Sequence, residues 1–477
     1  MREVLRQIAD EEASQILIDA AHFSILWVTI LLGVLSMQTG IRFVAQHYDV
    51  ATGKTVDESI LGDATLSKAS TLKELGYLHV EQIDFLKKIQ DFKIKHQIIL
   101  SSVTTCPLCN SPTKKAGSFK SKFHAALTDH DVAVQRTACK CGWFSASSVE
   151  GIYGSAMHPD LLAKQALQGS KESYEKSSQS LNAESAMKRP VNGHMRVSRS
   201  VTCVAEKLEE MKLSKDYGQS DNKAETLLAN IDGGHIKARG ENRSFEAMVA
   251  TVYRPESLEY VDKNHNTITS KTTVASAKDD GQETMKALFK SACRAQGMTL
   301  ATKVTCLADG ADNCWSIAHS IEKDCQELTF VLDWFHISMK FTNIAISDEH
   351  KALYDKVKWH LWHGNSETAL VRLEELITLI EDSSKKTKLN KLATYISNNK
   401  KGIVNYSERQ KEGLVYTSNL AESTVNTLIN QRQKGKQKML WSRDGAHNVL
   451  QIRASVFSNS WDDDWKKVES EIYKKAA

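Results

Sequence analysis

The chain has 477 residues, 62 Lys+Arg against 58 Asp+Glu, and a formal net charge of +4. This length corresponds to about two to four domains, and 41% hydrophobic with 25% charged residues excludes wholesale disorder and collagen-like repeats. The total charge does not indicate a nucleic-acid-binding protein, but its distribution is uneven. Residues 106–190 carry 11 basic and 7 acidic side chains, and residues 391–453 carry 11 and 4. Two positive blocks of this kind can bind phosphate, although a solvated helical face is the alternative for either block.

Residues 1–100 are predicted to be helical, because apolar positions such as Leu86, Ile89 and Phe92 recur at helical spacing. The stretch 20–41 is uncharged and follows acidic residues, whereas a secretory signal begins with a basic segment. Several polar residues also dilute this stretch, and a membrane span needs ~20 mostly apolar residues. We expect a buried core helix here, with a membrane or interfacial segment as the alternative.

Two close pairs of cysteines follow in the region 101–150. Cys106 and Cys109 form C-x2-C, and Cys139 and Cys141 form C-x-C. Two such pairs brought together form a four-thiolate site, the usual arrangement for structural zinc. We therefore predict a zinc ribbon in this region, which stabilises the fold and has no catalytic role.

The cysteine count supports a metal site over a disulfide framework, because nine is an odd number and no secretory signal is evident. His124 and His130 lie between the two pairs, and either could replace a thiolate. Four unrelated buried thiols are the remaining alternative.

The region 155–215 is predicted to be helix-turn-helix-like. One short helix starts near Ser173 and another near Val197, and Arg199 at the start of the second could contact phosphates or base edges. The connection between them is long and irregular, so a plain helical linker is the alternative.

From residue 225 onward the pattern changes to short β-branched runs that alternate with helical segments. This alternation predicts an α/β domain with a mixed sheet. We expect the sheet over 225–345, a helical insertion over 346–415, further core helices over 416–455 and a tail over 456–477.

Three predicted strands in this domain end in an aspartate. Asp232 ends the run LLANID, Asp309 ends VTCLAD, and Asp333 ends FVLD with His336 three residues later. Acids at the carboxyl ends of adjacent strands point into one crevice, where oxygen ligands can hold a hard divalent cation. A single Asp-Gly at a strand end is more often a turn, but three such acids favour a metal site.

A fourth acid, Glu422, lies at a predicted helix start in the run SNLAES. It is followed by basic residues, whose charge should keep it ionised and available to a metal. We assign DNA contacts to six side chains of this block: Arg432, Lys434, Lys436, Lys438, Trp441 and Arg443. For Trp441 the contact would be stacking on an unpaired base, and the alternative is a tryptophan buried in the core.

The order of these motifs resembles bacterial insertion-sequence transposases of the DDE superfamily, in the Mutator-like group. The resemblance covers about residues 227–454, and DWFH and LWSRDGA are its most specific pieces. It implies an RNase H-like catalytic core: a mixed sheet flanked by helices, interrupted by a helical insertion.

The resemblance also implies roles for the acids. Asp232, Asp309 and Glu422 would be the three acids that hold Mg²⁺ or Mn²⁺, and Asp333 with His336 would form the D-x-x-H motif. Either Asp309 or Asp333 could be the second metal ligand, and their order along the chain favours Asp309.

The implied activity is Mg-dependent cleavage and strand transfer at the ends of a mobile element, which is DNA integration or recombination by phosphoryl transfer. The expected partners are double-stranded DNA, both element ends and target, and further copies of the chain on that DNA. We expect a bacterial cytoplasmic protein associated with the nucleoid. A catalytically silent or domesticated DNA-binding protein, a metal-dependent nuclease without strand transfer and a membrane-associated protein are the alternatives.

Overall fold

The structure, a computed structural model, has two compact units. The first comprises the described residues up to Lys164 together with Ser178–Gly193, and the second comprises Gln165–Ser177 and the described residues from His194 to the C-terminal end. The backbone alone is described at 23–24, 260–262 and 265–266. The described residues are 23–24, 39–218, 222–240, 244–262, 265–418, 424–434 and 440–473.

The first unit begins with an antiparallel sheet in the order β1-β2-β3, formed by β1 (Phe23–Ser24), β2 (Gly40–Tyr48) and β3 (Thr55–Thr65). Helix α1 (His79–Leu100) follows. The prediction of helix throughout 1–100 is therefore wrong for 40–65. The run GIRFVAQHY is rich in β-branched and aromatic residues, which favour strands.

The uncharged stretch 20–41 lies largely outside the described residues, so the prediction of a core helix stays a prediction. In the part of the chain that the structure describes, no helix is long and apolar enough to cross a membrane.

A second antiparallel hairpin, β4 (Lys114–His124) and β5 (Asp129–Ala138), occupies the region of the predicted zinc ribbon. The short helix α2 (Val149–Tyr153) follows it. Val132 and Val134 pack with Ile98 of α1, so one face of the hairpin is covered. The hairpin is followed by three helices over the predicted helix-turn-helix-like region: α3 (Pro159–Lys171), α4 (Tyr174–Glu184) and α5 (His194–Leu213).

The second unit contains a mixed five-stranded sheet in the order β10-β7-β6-β11-β12. The pairs β10-β7 and β7-β6 are antiparallel, whereas β6-β11 and β11-β12 are parallel. A small hairpin, β8 with β9, lies between β7 and β10 along the chain. The strands are β6 (Thr226–Lys237), β7 (Ser244–Tyr253), β8 (Leu258–Asp262), β9 (His265–Ile268), β10 (Lys271–Ser276), β11 (Lys303–Ala308) and β12 (Glu327–Leu332).

Helices bury both faces of this sheet. Successive residues of a strand point to opposite faces, so each strand contributes side chains to two hydrophobic clusters. Ile231 packs in a cluster with Phe289 of α6 and Ile317 of α7. Leu228 packs in the other cluster, with Leu361 of the helical insertion. The helices are α6 (Glu283–Ala295), α7 (Asp312–His319), α8 (Trp334–Thr342), and, in the insertion, α9 (Asp348–Trp362), α10 (Ser366–Leu379), α11 (Ser383–Asn398) and α12 (Tyr406–Lys411).

The C-terminal region completes the second unit. Residues 424–433 are helical, with a π-helical turn at Asn426–Asn430 that leads into α13 (Gln431–Gln433). Helices α14 (Arg443–Phe457) and α15 (Trp461–Ile472) follow. The predicted tail is thus mostly a packed helix.

Candidate active site and metal centre

The three predicted aspartates lie side by side at the end of the parallel part of the sheet. Ala308 of β11 is in register with Ile231 of β6 and with Leu332 of β12. An acid follows each of these three in-register positions along the chain: Asp232, Asp309 and Asp333. Since parallel strands end at the same edge of a sheet, the chain order along the three strands brings the acids together.

Asp333 is the most deeply placed of the three, with 2% of its surface exposed. Its Oδ1 accepts hydrogen bonds from the backbone amides of Phe335 (2.9 Å) and Ser418 (3.1 Å). Its Oδ2 accepts from His336 Nδ1 (3.0 Å) and from the Ser418 hydroxyl. Burial raises the pKa of Asp333, but these donors outweigh burial and lower the pKa below its ordinary value. Asp333 therefore caps α8 as a carboxylate and joins it to the segment ending at Ser418.

His336 takes its orientation from this contact. The hydrogen bond with Asp333 raises the pKa of His336, burial opposes the shift, and the charges of Asp232 and Asp309 add to it. A protonated imidazole beside the aspartates partly compensates their negative charge.

Asp232 and Asp309 are half-buried and more open than Asp333. Asp232 Oδ1 accepts from the amide of Gly233 (2.7 Å), and Asp309 Oδ1 accepts from the amide of Ala311 (2.9 Å). No hydrogen bond to Oδ2 of either aspartate comes from a described residue. Burial raises the pKa of Asp232, and the charges of Asp309 and Asp333 raise it further, against the hydrogen bond from Gly233. Each of the two carboxylates thus has an oxygen that can bind a cation.

The helix over 424–433 lies against β6 two residues beyond Asp232. A Cβ atom at Gly234 would lie 3.3 Å from side-chain carbons of Val425 and Ile429 and 3.5 Å from Lys434 Nζ. Gly234 is on the same face of β6 as Asp232. The predicted cation Lys434 therefore has its ammonium group next to Gly234, on the face of β6 that carries Asp232.

Glu422 lies outside the described residues, and its predicted role stays a prediction. The described residues on either side of it lie at the site: Ser418 is bonded to Asp333, and Val425 is close to Gly234.

Two side chains assigned to DNA contact are interior in this structure. Arg432 is 3% exposed and donates to the carbonyl of Gly169. Trp441 is 5% exposed, its backbone pairs with Ala238, and the Arg432 guanidinium lies 4.8 Å from its ring. For both, the structure corrects the sequence-based assignment, because side chains buried in this way do not reach a phosphate or a base. Trp441 is therefore a core tryptophan, which was the alternative for this residue.

The remaining predicted cations differ in their surroundings. Arg199 on α5 is exposed, as is Lys434. Arg443 forms an ion pair with Asp280 (2.5 Å), which reduces the charge it offers to phosphate. Lys436 and Lys438 lie outside the described residues.

Several residues at the site were not found from the sequence. Ser418 stands in the run SNLAES at the predicted helix start, where nothing in the sequence indicates a contact with Asp333. Tyr395 donates from its hydroxyl to the carbonyl of Asp309 (2.7 Å), and Cys314 donates to the Asp309 carboxylate (3.6 Å). No local pattern marks the Tyr395 contact, because it comes from a helix 86 residues away and depends on how the insertion folds back onto the sheet.

The four cysteines of the first unit form the second candidate site. Their sulfur atoms all lie within 4.8 Å of one another, with Cys106 to Cys141 at 3.6 Å and Cys109 to Cys139 at 3.4 Å. In a tetrahedron with ~2.3 Å metal–sulfur bonds the sulfurs are about 3.8 Å apart, which is close to these distances. Hydrogen bonds from Ser111 lower the pKa of Cys109 to about 6. The backbone of Trp143 lowers the pKa of Cys141, but the neighbouring thiols outweigh it and raise that pKa to about 12. The cluster can hold a metal ion such as zinc.

The two histidines between the cysteine pairs are engaged elsewhere. His124 is bonded to Asp129 (2.7 Å), and His130 is bonded to Asp91 (2.6 Å) and Thr128 (2.7 Å). Neither replaces a thiolate. Among the described residues, the four cysteines are the group of three or more potential ligands that lie close enough together to hold one metal ion, and the three aspartates do not form such a group.

Comparison with known proteins places the second unit in a family. The sequence model of the uncharacterised protein family UPF0236 matches residues 164–474. The chain belongs to the UPF0236 family. The matched region of this UPF0236 chain contains the mixed sheet and all four predicted acids, whereas the four cysteines precede it.

Two relatives of this UPF0236 chain are UPF0236 proteins of Caldanaerobacter subterraneus subsp. tengcongensis. Each is 32% identical over 134 residues, which is 28% of this chain and 27% or 25% of the relative. The alignment with this chain thus covers about a quarter of the length of each curated relative. Their names give no activity.

Proposed function

We propose that this protein is a DDE-type DNA transposase that cleaves and joins DNA strands with Mg²⁺. The observation that carries the proposal is the alignment of Asp232, Asp309 and Asp333 behind in-register positions of three neighbouring strands. Phosphoryl transfer on DNA requires carboxylates grouped at an exposed edge, where divalent cations and a phosphate can be held together.

The topology of the sheet supports an RNase H-like core. Three antiparallel strands in chain order, β6, β7 and β10, are followed by two strands parallel to β6. This gives the order 3-2-1-4-5 that such a core requires, with the first acid on the central strand. The insertion α9–α12 follows β12, as the resemblance to insertion-sequence transposases implies.

The hydrogen bonds of the aspartates support different roles for them. Asp333 already accepts four hydrogen bonds, so we assign it to positioning. Asp232 and Asp309 each keep an oxygen without a described donor, and we assign these two as metal ligands, with Glu422 as the third. Bound Mg²⁺ would activate the attacking oxygen and stabilise the leaving oxygen.

The chain's own residues then prepare the site for this chemistry. Ser418 and His336 fix the Asp333 carboxylate, and through it the start of α8 beside the metal ligands. The Lys434 ammonium lies on the side of β6 that carries Asp232 and suits a DNA phosphate. We further propose that the four-cysteine cluster holds Zn²⁺ as a structural ion, since its sulfur separations fit a tetrahedral site.

The experiment that tests this proposal is strand cleavage with duplex DNA taken from the sequences flanking the gene. The wild-type protein should nick this DNA in Mg²⁺ or Mn²⁺ and not in EDTA. Asp232→Asn and Asp309→Asn should lower the rate at least about a hundredfold while duplex binding is retained, because each removes a metal ligand. Asp355→Asn, which alters an exposed acid of α9, is the matched control. Equal nicking by Asp232→Asn would overturn the proposal.

A further inference from the structure

An arginine on the β4–β5 hairpin lies near two exposed phenylalanine rings, one on β4 and one on the segment that follows β5. The strand pairing shifts between Lys115 and Ser118, so Ala116 and Gly117 together face Arg136. An extra residue in one strand bends the strand and redirects nearby side chains. Here the bulge lies directly opposite the arginine.

The two rings are exposed on either side of the half-buried arginine. The Arg136 Cζ atom is 4.2 Å from the centroid of the Phe144 ring and 6.0 Å from that of the Phe119 ring. Phe119 is 41% exposed and Phe144 is 50% exposed. Arg136 itself is half-buried, its Nε atom is buried without a hydrogen-bond partner, and it forms no ion pair with any described residue. We call Phe119, Arg136 and Phe144 the Phe–Arg–Phe surface.

The charge around this surface is positive. Residues 106–147 contain six basic and two acidic side chains. Both acids are neutralised, Asp129 by Arg189 and Asp131 by Lys122. The other lysines of the hairpin are exposed and form no ion pair within the described part of the chain: Lys114, Lys115, Lys120 and Lys140.

We propose that the Phe–Arg–Phe surface binds unpaired bases of single-stranded DNA. Aromatic rings stack on any base, and a cationic surround attracts the phosphates on either side. A purely anionic partner such as an acidic peptide would use the lysines but not two exposed rings, and duplex bases are already stacked on each other. This inference rests on the proposed function only in taking the nucleic acid to be DNA. It adds that the protein recognises an unpaired segment of that DNA.

The test separates bases from phosphates by measuring fluorescence anisotropy of two labelled oligonucleotides. One is a thymidine oligonucleotide, and the other is an abasic oligonucleotide of the same length, with the same phosphates and no bases. The full chain should bind the thymidine oligonucleotide at least about tenfold more tightly, because loss of stacking on one base weakens binding by roughly 5- to 150-fold.

Variants assign this preference to the surface. Phe144→Leu and Phe119→Leu keep apolar side chains but remove the rings, and each should reduce the affinity for the thymidine oligonucleotide without changing that for the abasic one. Lys114→Ala with Lys115→Ala should weaken both. Tyr77→Leu, at an exposed aromatic position of the same unit, is the matched control. Metal content checks that each variant keeps its cysteine cluster intact.

Three results would overturn this inference: equal affinity of the wild type for both oligonucleotides, unchanged binding by both phenylalanine variants, or tighter binding of a polyglutamate peptide than of DNA. Its failure is distinguishable from failure of the proposed function. A protein that cleaves duplex DNA without a preference for bases contradicts only this inference, and one with the preference but no metal-dependent cleavage contradicts only the proposed function.

Discussion

Replacing Asp333 by alanine should destabilise the second unit strongly. Asp333 is 2% exposed, and its carboxylate accepts from the amides of Phe335 and Ser418, from the Ser418 hydroxyl and from His336. A hydrogen bond to a charged group contributes about 1.5–3 kcal/mol. Because these bonds share one carboxylate, they are not additive, and we expect a loss of about 3–5 kcal/mol, as for removal of one partner of a buried ionic network.

Neutralising Asp232, in contrast, should not lower the free energy of unfolding of the second unit. Burial and the neighbouring charges of Asp309 and Asp333 raise the pKa of Asp232. A raised carboxyl pKa means that the folded state binds the proton more tightly than the unfolded state, so the ionised form lowers stability at neutral pH. Asp232→Asn keeps the shape of the side chain and removes the charge. The free energy of unfolding should stay unchanged or rise by about 0.5–2 kcal/mol, as is common when a functional charge is removed.

The assay is urea unfolding followed by tryptophan fluorescence, since seven of the nine tryptophans lie at or after Trp315 and report on the second unit. The midpoint should fall for Asp333→Ala and not for Asp232→Asn, with Asp355→Asn as the control. If Asp232→Asn destabilised the unit as much as Asp333→Ala, Asp232 would be a structural residue and the division of roles would be refuted.

Three further predictions concern other parts of the chain. Gly310 has φ +92° and its Cβ would lie 2.7 Å from Asn399 Oδ1, so Gly310→Ala should lower the urea midpoint by an amount corresponding to about 1–3 kcal/mol. Burial raises the pKa of Glu209, but His447 and Lys278 outweigh it and lower the pKa to about 2. Its stabilisation is therefore complete above pH 4.5 and is lost as the pH falls from about 4.5 to about 2, and Glu209→Gln should flatten the dependence of the unfolding free energy on pH over that range. Cys106→Ser should remove the metal bound by the cysteine cluster, measured by elemental analysis, whereas Cys203→Ser should retain it.

The features that depend on local spacing of residues could be predicted from the sequence. The C-x2-C and C-x-C pairs predict a cluster that the structure confirms as a group able to hold a metal. The alternation of strands and helices after residue 225 predicts the mixed sheet, and three strand-ending aspartates lie together because parallel strands share one edge.

The features that depend on packing between distant parts of the chain could not be predicted from the sequence. Periodicity did not separate the hairpin at 40–65 from helix, because β2 and β3 have mixed burial on both faces. Arg432 and Trp441 stand in a basic run, and only their packing in the fold reveals that they are buried. The choice between Asp309 and Asp333 likewise depends on Ser418, which reaches Asp333 from 85 residues away.

Strand transfer tests the central claim most directly. Labelled DNA from the flank of the gene, ending in a 3′-OH, is incubated with the protein, Mg²⁺ and a supercoiled plasmid, and covalent joining of the label to the plasmid is measured on a denaturing gel. The account predicts joining by the wild type and by Asp355→Asn, and none by Asp232→Asn or Asp309→Asn. Cleavage of the flanking DNA without any joining would indicate a metal-dependent nuclease and would contradict the assignment as a transposase.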